Sequence, residues 1–167
     1  SGGIVTERDV ERALKDIETR ASAKLTNRTV IHNITLEYRV DGNKVFGKAV
    51  GLQGTKLSVD TLLITILSQH HDALIDAVEA AGVEVEGVMA SPLAASLVAL
   101  TKSQKTAGVV LTNIGSETLS LVVFDDDVPV SLKVFPQGSG DITNTIALSF
   151  QIPLTEAEQM KRGAVTG

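Results

Sequence analysis

Three strand-like runs follow one another between Gly108 and Phe135, and a glycine-rich step leads from the last of them into a helix. The runs are Gly108–Asn113, Thr118–Asp125 and Val128–Phe135, all rich in Val and Leu. Gly115-Ser116-Glu117 separates the first two, and Asp125-Asp126-Asp127 forms a tight acidic turn between the next two. Connections this short make hairpins, because a parallel pair needs a crossover of about a dozen residues or more. Gly138-Ser139-Gly140 then opens a helix over about Asp141–Phe150, and a last helix is predicted over about Pro153–Arg162, with Thr155 and Glu158 at capping-box spacing. Strands carrying helices in this way belong to an α/β fold.

The first half reads differently. A helix from Thr6 to Ala23 shows Val10, Ala13, Leu14, Ile17 and Ala21 at helical spacing, with Thr6 and Asp9 placed to cap it. Thr29–Val40 and Lys44–Leu52 read as a hairpin about Asp41-Gly42-Asn43. Lys56–Leu67, mostly apolar, suits a strand buried on both faces. A helix over Ser68–Ala81 ends before Gly82, and Val83–Met89 reads as a short strand. The character of the chain changes at Ala90-Ser91-Pro92, where Ser91 and Pro92 suit the start of a helix, Pro92–Lys102, apolar enough to be largely buried. Two small units, residues 4–88 and 89–167, are the natural division.

Composition narrows the function. Aromatic residues make up 3% of the 167, with no Trp, so the core must come from Val, Leu, Ile and Ala. Apolar residues at 43% and charged residues at 21% exclude global disorder. A net charge of −5 and a pI near 5.2 leave no basic surface for nucleic acid. With no cysteine there is no disulfide, Cys-zinc site or thiol catalysis, which suits a reducing cytoplasm. No apolar run approaches the ~18–20 residues that cross a bilayer. Ser1-Gly2-Gly3 reads as a cut edge rather than a leader.

Catalytic signals are sparse. Of the histidines, His70 and His71 are adjacent and so diverge on a helix, while His32 lies in a strand; they do not make a metal site. The acidic turn lacks the ligand spacing of a calcium loop. No G-x-S-x-G elbow marks a nucleophile. Two segments can hold an anion on backbone N–H groups: the turn after Asn113, and Gly138-Ser139-Gly140 at a helix N-terminus. Each is also what an ordinary hairpin or helix entry looks like.

These two segments, in this order, resemble the FtsA family of bacterial cell-division proteins within the actin-like ATPase superfamily. Further stretches carry the resemblance. Glu37-Tyr38-Arg39-Val40-Asp41-Gly42 is similar to the family's Tyr-x-Val-Asp turn. Gly51-Leu52-Gln53-Gly54-Thr55-Lys56-Leu57 is similar to its Gly-x-x-Gly-x-x-Leu stretch, and Ser91-Pro92-Leu93-Ala94-Ala95-Ser96 to its next helix start. Pro153-Leu154-Thr155-Glu156-Ala157-Glu158 is similar to its Pro-Leu-x-x-Ala-Glu helix. The resemblance implies that residues 4–88 are a 1C-like interaction subdomain, also called an SHS2 domain. Residues 89–167 would be part of the actin-like, ribonuclease H-like subdomain 2A, within a longer protein. The pilus-assembly PilM proteins are relatives in the same superfamily, and the stretch from Glu37 to Gly42 favours FtsA over them.

By resemblance, Asn113, Gly115, Ser116, Glu117 and Thr118 correspond to the second phosphate loop, and Gly138 and Ser139 to the adenosine motif. The departures weaken that site. Asn113 stands where the family has Asp, and it neither carries charge for Mg²⁺ nor acts as a base. Ser116-Glu117 replace two glycines, and Glu117 brings a carboxylate toward a phosphate. The implied function is therefore not enzymatic. This stretch would hold no cofactor by itself, with ATP and Mg²⁺ bound, if at all, by the full-length protein. The family links the FtsZ ring to the inner face of the cell membrane and recruits later division proteins. Other FtsA-like subunits and later proteins such as FtsN are the implied partners of 1C, and FtsZ of subdomain 2B. Arg39, Asp41, Asn43 and Lys44 are the candidate contact residues, and exposed apolar surface predicts dimerisation or strand exchange between copies.

Overall fold

The computed structural model describes residues 3–163, so Ser1, Gly2 and the last four residues of the predicted second unit lie outside the described residues. The chain opens with β1 (Gly3–Ile4) and α1 (Glu7–Lys24). Thr6 caps α1 as its spacing predicts: its hydroxyl accepts the Asp9 N–H at 3.3 Å, and the Asp9 carboxylate accepts the Thr6 N–H at 2.9 Å. Then come β2 (Arg28–Val40), β3 (Asn43–Val45), β4 (Gln53–Gly54), β5 (Leu57–Leu67) and α2 (Ser68–Glu79). β2 is the middle strand of an antiparallel sheet ordered β3-β2-β5, and β1 pairs with β4. Asp41 and Gly42 join β2 to β3 with φ of +49° and +86°, the left-handed pair that a two-residue hairpin turn requires.

Three expectations fail here, each for a physical reason. The strand expected over Lys44–Leu52 survives only as β3, because Gly47 and Gly51 take φ of +85° and +92° and the chain leaves β2. Ala49, between them, turns inward to pack with Val5 and Val40. β5 is half-buried rather than buried on both faces, and only its Ile64 is buried. A sheet of three strands is too narrow to be covered throughout. Val83–Met89 forms no strand; Val85 and Val88 instead line a small cavity with Ile31 and Ile75.

The second half begins with α3 (Ser91–Ala99), capped by Ala90 rather than Ser91, and α4 (Lys102–Ala107), which Thr101 and Gln104 cap. α3 is shorter and far less buried than its composition suggests: Pro92 and Ser96 are buried, while Leu97 and Val98 are 66% and 90% exposed. β6 (Val109–Ile114), β7 (Leu119–Asp125) and β8 (Val128–Phe135) form the predicted antiparallel run, with β7 central. Its inward Val122 and Phe124 are buried. Asp126 and Asp127 make the turn to β8 at φ of +51° and +64°, and no group of residues that could hold a metal occurs among the described residues. α5 (Ser139–Phe150) and α6 (Leu154–Gly163) close the chain. The halves meet where His32 Nε2, in β2, accepts the N–H of Ala90 at 3.0 Å. Among the described residues, eight apolar side chains besides Pro92 are buried, a small core for the apolar content of the chain.

Candidate functional site

The turn between β6 and β7 and the start of α5 come together backbone to backbone. Asn113, one residue before the end of β6, is exposed and pairs with Ser120. Gly115 donates its N–H to the Thr118 carbonyl at 2.8 Å, which closes the turn over exposed Ser116 and Glu117. The carbonyls of that turn then point at α5. Ser139 donates its N–H to Gly115 O at 2.8 Å, and Gly140 donates to Ser116 O at 2.8 Å. The Gly138 N–H goes to the Asp141 carboxylate at 2.9 Å. The first amides of α5, the ones a helix offers to an anion, are thus taken by the protein itself.

This contact explains the glycines. A Cβ on Gly138 would strike the carbonyl group of Ser116, and one on Gly140 would lie 2.9 Å from Ser116 O. At these two positions the turn backbone rests directly on the helix entry, which leaves no room for a side chain. Among the described residues, no hydrogen bond engages the N–H of Ser116 or Glu117.

Sequence reasoning missed the polar cluster beside them. Thr143 on α5 donates its hydroxyl to Glu158 on α6 at 2.6 Å. Lys161 donates to the Ser139 carbonyl at 3.1 Å and to Thr143 Oγ1 at 2.8 Å, and pairs with Glu158 at 2.6 Å. Arg162 takes the other carboxylate oxygen at 2.9 Å. The Lys161 hydrogen bond, then those from Thr143 and Arg162, hold the Glu158 carboxyl down at about 2, against 4.5 ordinarily. Glu158 therefore ties α6 to α5, and it does not cap α6 with Thr155 as its spacing suggests. Glu158, Thr143, Arg162, Ser116 and Glu117 line a cleft of about 640 Å³. The signal in the sequence was Glu-x-x-Lys-Arg, Glu158 to Arg162, on one helix face.

The other candidate residues sit at the far end of the β3-β2-β5 sheet. Asp41 is a staple: its carboxylate accepts the N–H groups of Thr55 at 3.0 Å and Lys56 at 2.8 Å and the Thr55 hydroxyl at 2.7 Å. The Thr55 hydroxyl, then these two amides, keep the Asp41 carboxyl below the usual carboxylate range. Arg39 pairs with Glu37 at 2.6 Å and lies 3.7 Å from Asp60, and Lys44 pairs with Glu37 at 2.7 Å. Lys44 and then Arg39 lower the Glu37 carboxyl. Arg39, Asn43 and Lys44 are exposed and share this tip, while Asp41 is spent on the loop.

Comparison with known proteins settles the kinship. The sequence profile of the SHS2 domain inserted in FtsA matches residues 1–65, and that of the cell division protein FtsA matches residues 110–166. The chain belongs to the FtsA family. It is 30% identical to the cell division protein FtsA of Escherichia coli strain K12 over 158 residues, 94% of this chain and 37% of that protein. It is 32% identical to the FtsA of Bacillus subtilis strain 168 over 133 residues, 80% of this chain and 30% of that protein. The chain thus spans little more than a third of the length of the curated FtsA relatives it matches. A chain of the solved PilM–PilN type IV pilus biogenesis complex superposes with a TM-score of 0.67 at 20% identity, over 97% of this chain and 46% of that one. That likeness shows a shared α/β fold, the class expected from the sequence.

Proposed function

We propose that this FtsA chain serves bacterial cell division as an assembly module, offering surfaces to neighbouring proteins rather than turning over a nucleotide. One observation carries the reading: the α5 amides that would hold phosphate are bonded to Gly115 O, Ser116 O and Asp141. Exposed Glu117 adds negative charge beside them, and Asn113 supplies none for a metal. By this reading the stretch binds neither ATP nor Mg²⁺ alone and is not an enzyme. Its partners are other FtsA subunits and later division proteins such as FtsN, met at the tip that carries Arg39, Asn43 and Lys44. FtsZ contact and attachment to the inner face of the cell membrane belong to other parts of the full-length protein.

Two measurements test this. Titration with a fluorescent ATP analogue and Mg²⁺ should give no saturation; micromolar binding by this chain would overturn the non-enzymatic reading. In the full-length protein, Arg39→Glu with Lys44→Glu should weaken self-association and lengthen the cells. Asn43→Arg, exposed at the start of β3, repeats the test without disturbing the Glu37 ion pairs. Unchanged cell length and unchanged self-association in both variants would remove the tip from the proposal.

A second reading, an actin-like ATPase with a working site in the full-length protein, draws on the cleft beside Ser116 and Arg162. The same titration on full-length protein, with Arg162→Ala as control, separates the two.

A further inference from the structure

Helix α3 has no cap of its own. Ala90 stands at its N-cap with no side chain that can accept, and Leu93 occupies the position from which a Glu or Gln would reach back. The Ala90 carbonyl accepts the N–H groups of Leu93 at 2.9 Å and Ala94 at 3.1 Å. The Ala90 N–H instead leaves the second unit and goes to His32 Nε2 on β2, 58 residues earlier, at a partly buried site. A β-bulge precedes the ring. Val30 pairs with Thr65 and His32 with Ile64, so Ile31 is an extra residue, and a bulge of this kind re-aims the side chain beside it.

The bond makes one demand on the imidazole. A ring nitrogen accepts only while it carries no proton, so Nε2 is bare here and the ring proton sits on Nδ1. A proton added to Nε2 turns the acceptor into a donor that faces a second donor, the Ala90 N–H. Histidine is the side chain whose charge ordinarily changes between about pH 5 and 8. Few charged groups surround it. Across β5 the segment from Thr61 to Ser68 has no titratable side chain, and α3 has none. On α1, Glu18 accepts from Asn33, whose side chain leaves the opposite face of β2. The start of α2 carries His70, His71 and Asp72, with His71 Nδ1 3.0 Å from Asp72. Lys133 on β8 and Glu84 and Glu86 before Ala90 complete the set.

We infer that His32 is a pH-operated latch between the two units. Its unprotonated Nε2 holds the Ala90 N–H, and with it the start of α3, on β2; protonation releases that joint while each sheet stays folded. This is independent of which partner meets the hairpin tip.

Hydrogen exchange on the nitrogen-15-labelled chain tests it, with each rate divided by that of the free peptide at the same pH. The Ala90 amide should be protected at pH 7.5 and lose about two- to tenfold of that protection at pH 5.5, the range of one hydrogen bond, while the β7 amides hold theirs. His32→Gln keeps an oxygen that can accept, so it should retain protection at Ala90 and lose the pH dependence. His32→Phe should leave Ala90 unprotected at both values. His71→Gln, the control for the neighbouring histidine, should behave as the parent. Nitrogen-15 shifts of the His32 ring should show a bare Nε2 at pH 7.5. Unchanged protection at Ala90 in the parent, the same pH response in His32→Gln, a response lost in His71→Gln, or a proton on Nε2 at pH 7.5 would each overturn the latch. The parent and His32→Gln decide the matter even if His32→Phe does not fold.

Discussion

Gly138 shows how much one missing atom does. The turn after β6 and the entry of α5 touch backbone to backbone, and any side chain at Gly138 must push Ser116 away. Gly138→Ala should therefore destabilise the chain by about 1–3 kcal/mol, the usual cost of overpacking. Gly87, which has open space around its Cβ position, serves as the control, and its Ala variant should change urea-unfolding midpoints little. Equal effects at the two positions would contradict the packing. Glu158 works through charge. Its folded carboxyl sits at about 2 and its ordinary value is 4.5, so the folded chain favours the ionised form. The stabilisation from that preference is complete above about pH 4.5 and drains away as the pH falls toward about 2. Asp9, Glu37 and Asp41 are lowered as well and act in the same direction. Melting temperatures taken against pH should show Glu158→Gln below the parent near neutrality, with the gap closing through that acid window.

At the scale of elements, the loop from β3 to β5 is held by one carboxylate. Asp41 occupies a left-handed turn position and bonds two amides fifteen residues or fewer away in sequence. Asp41→Ala removes those bonds and puts Ala where Asp tolerates φ of +49° better. Hydrogen exchange at the Thr55 and Lys56 amides should quicken, while exchange in β7, on the other sheet, stays as it was. Uniform quickening would mean that Asp41 matters to global stability instead. The same scale accounts for what the chain pattern concealed. The helix at 7–24 and the strands at 28–40, 57–67, 119–125 and 128–135 were legible because each has a long periodic or apolar run. The segments at 46–52 and 83–89 were not, because alternation alone cannot say whether a partner strand is present.

For the whole molecule, burial is the weak point. Leu97, Val98, Leu148 and Phe150 are 66%, 90%, 80% and 62% exposed, more apolar surface than a lone soluble domain usually shows. Sedimentation at roughly tens of micromolar should show self-association that Val98→Glu with Leu148→Glu reduces. A single monomeric species in the parent would contradict it. The amino-acid order was sufficient for the α/β class, for the hairpins at Asp41-Gly42 and Asp126-Asp127, and for the two loop segments whose resemblance led to the FtsA family. Those follow from local periodicity and turn chemistry, which act between near neighbours. Only the folded arrangement could decide that α5 spends its first amides on Gly115 and Ser116, that Glu158 locks α6 to Thr143, and that Asp41 is consumed by the Thr55 and Lys56 amides. Each of these is a meeting of groups far apart along the chain or a failure to meet, and the energy of such contacts depends on distance in space.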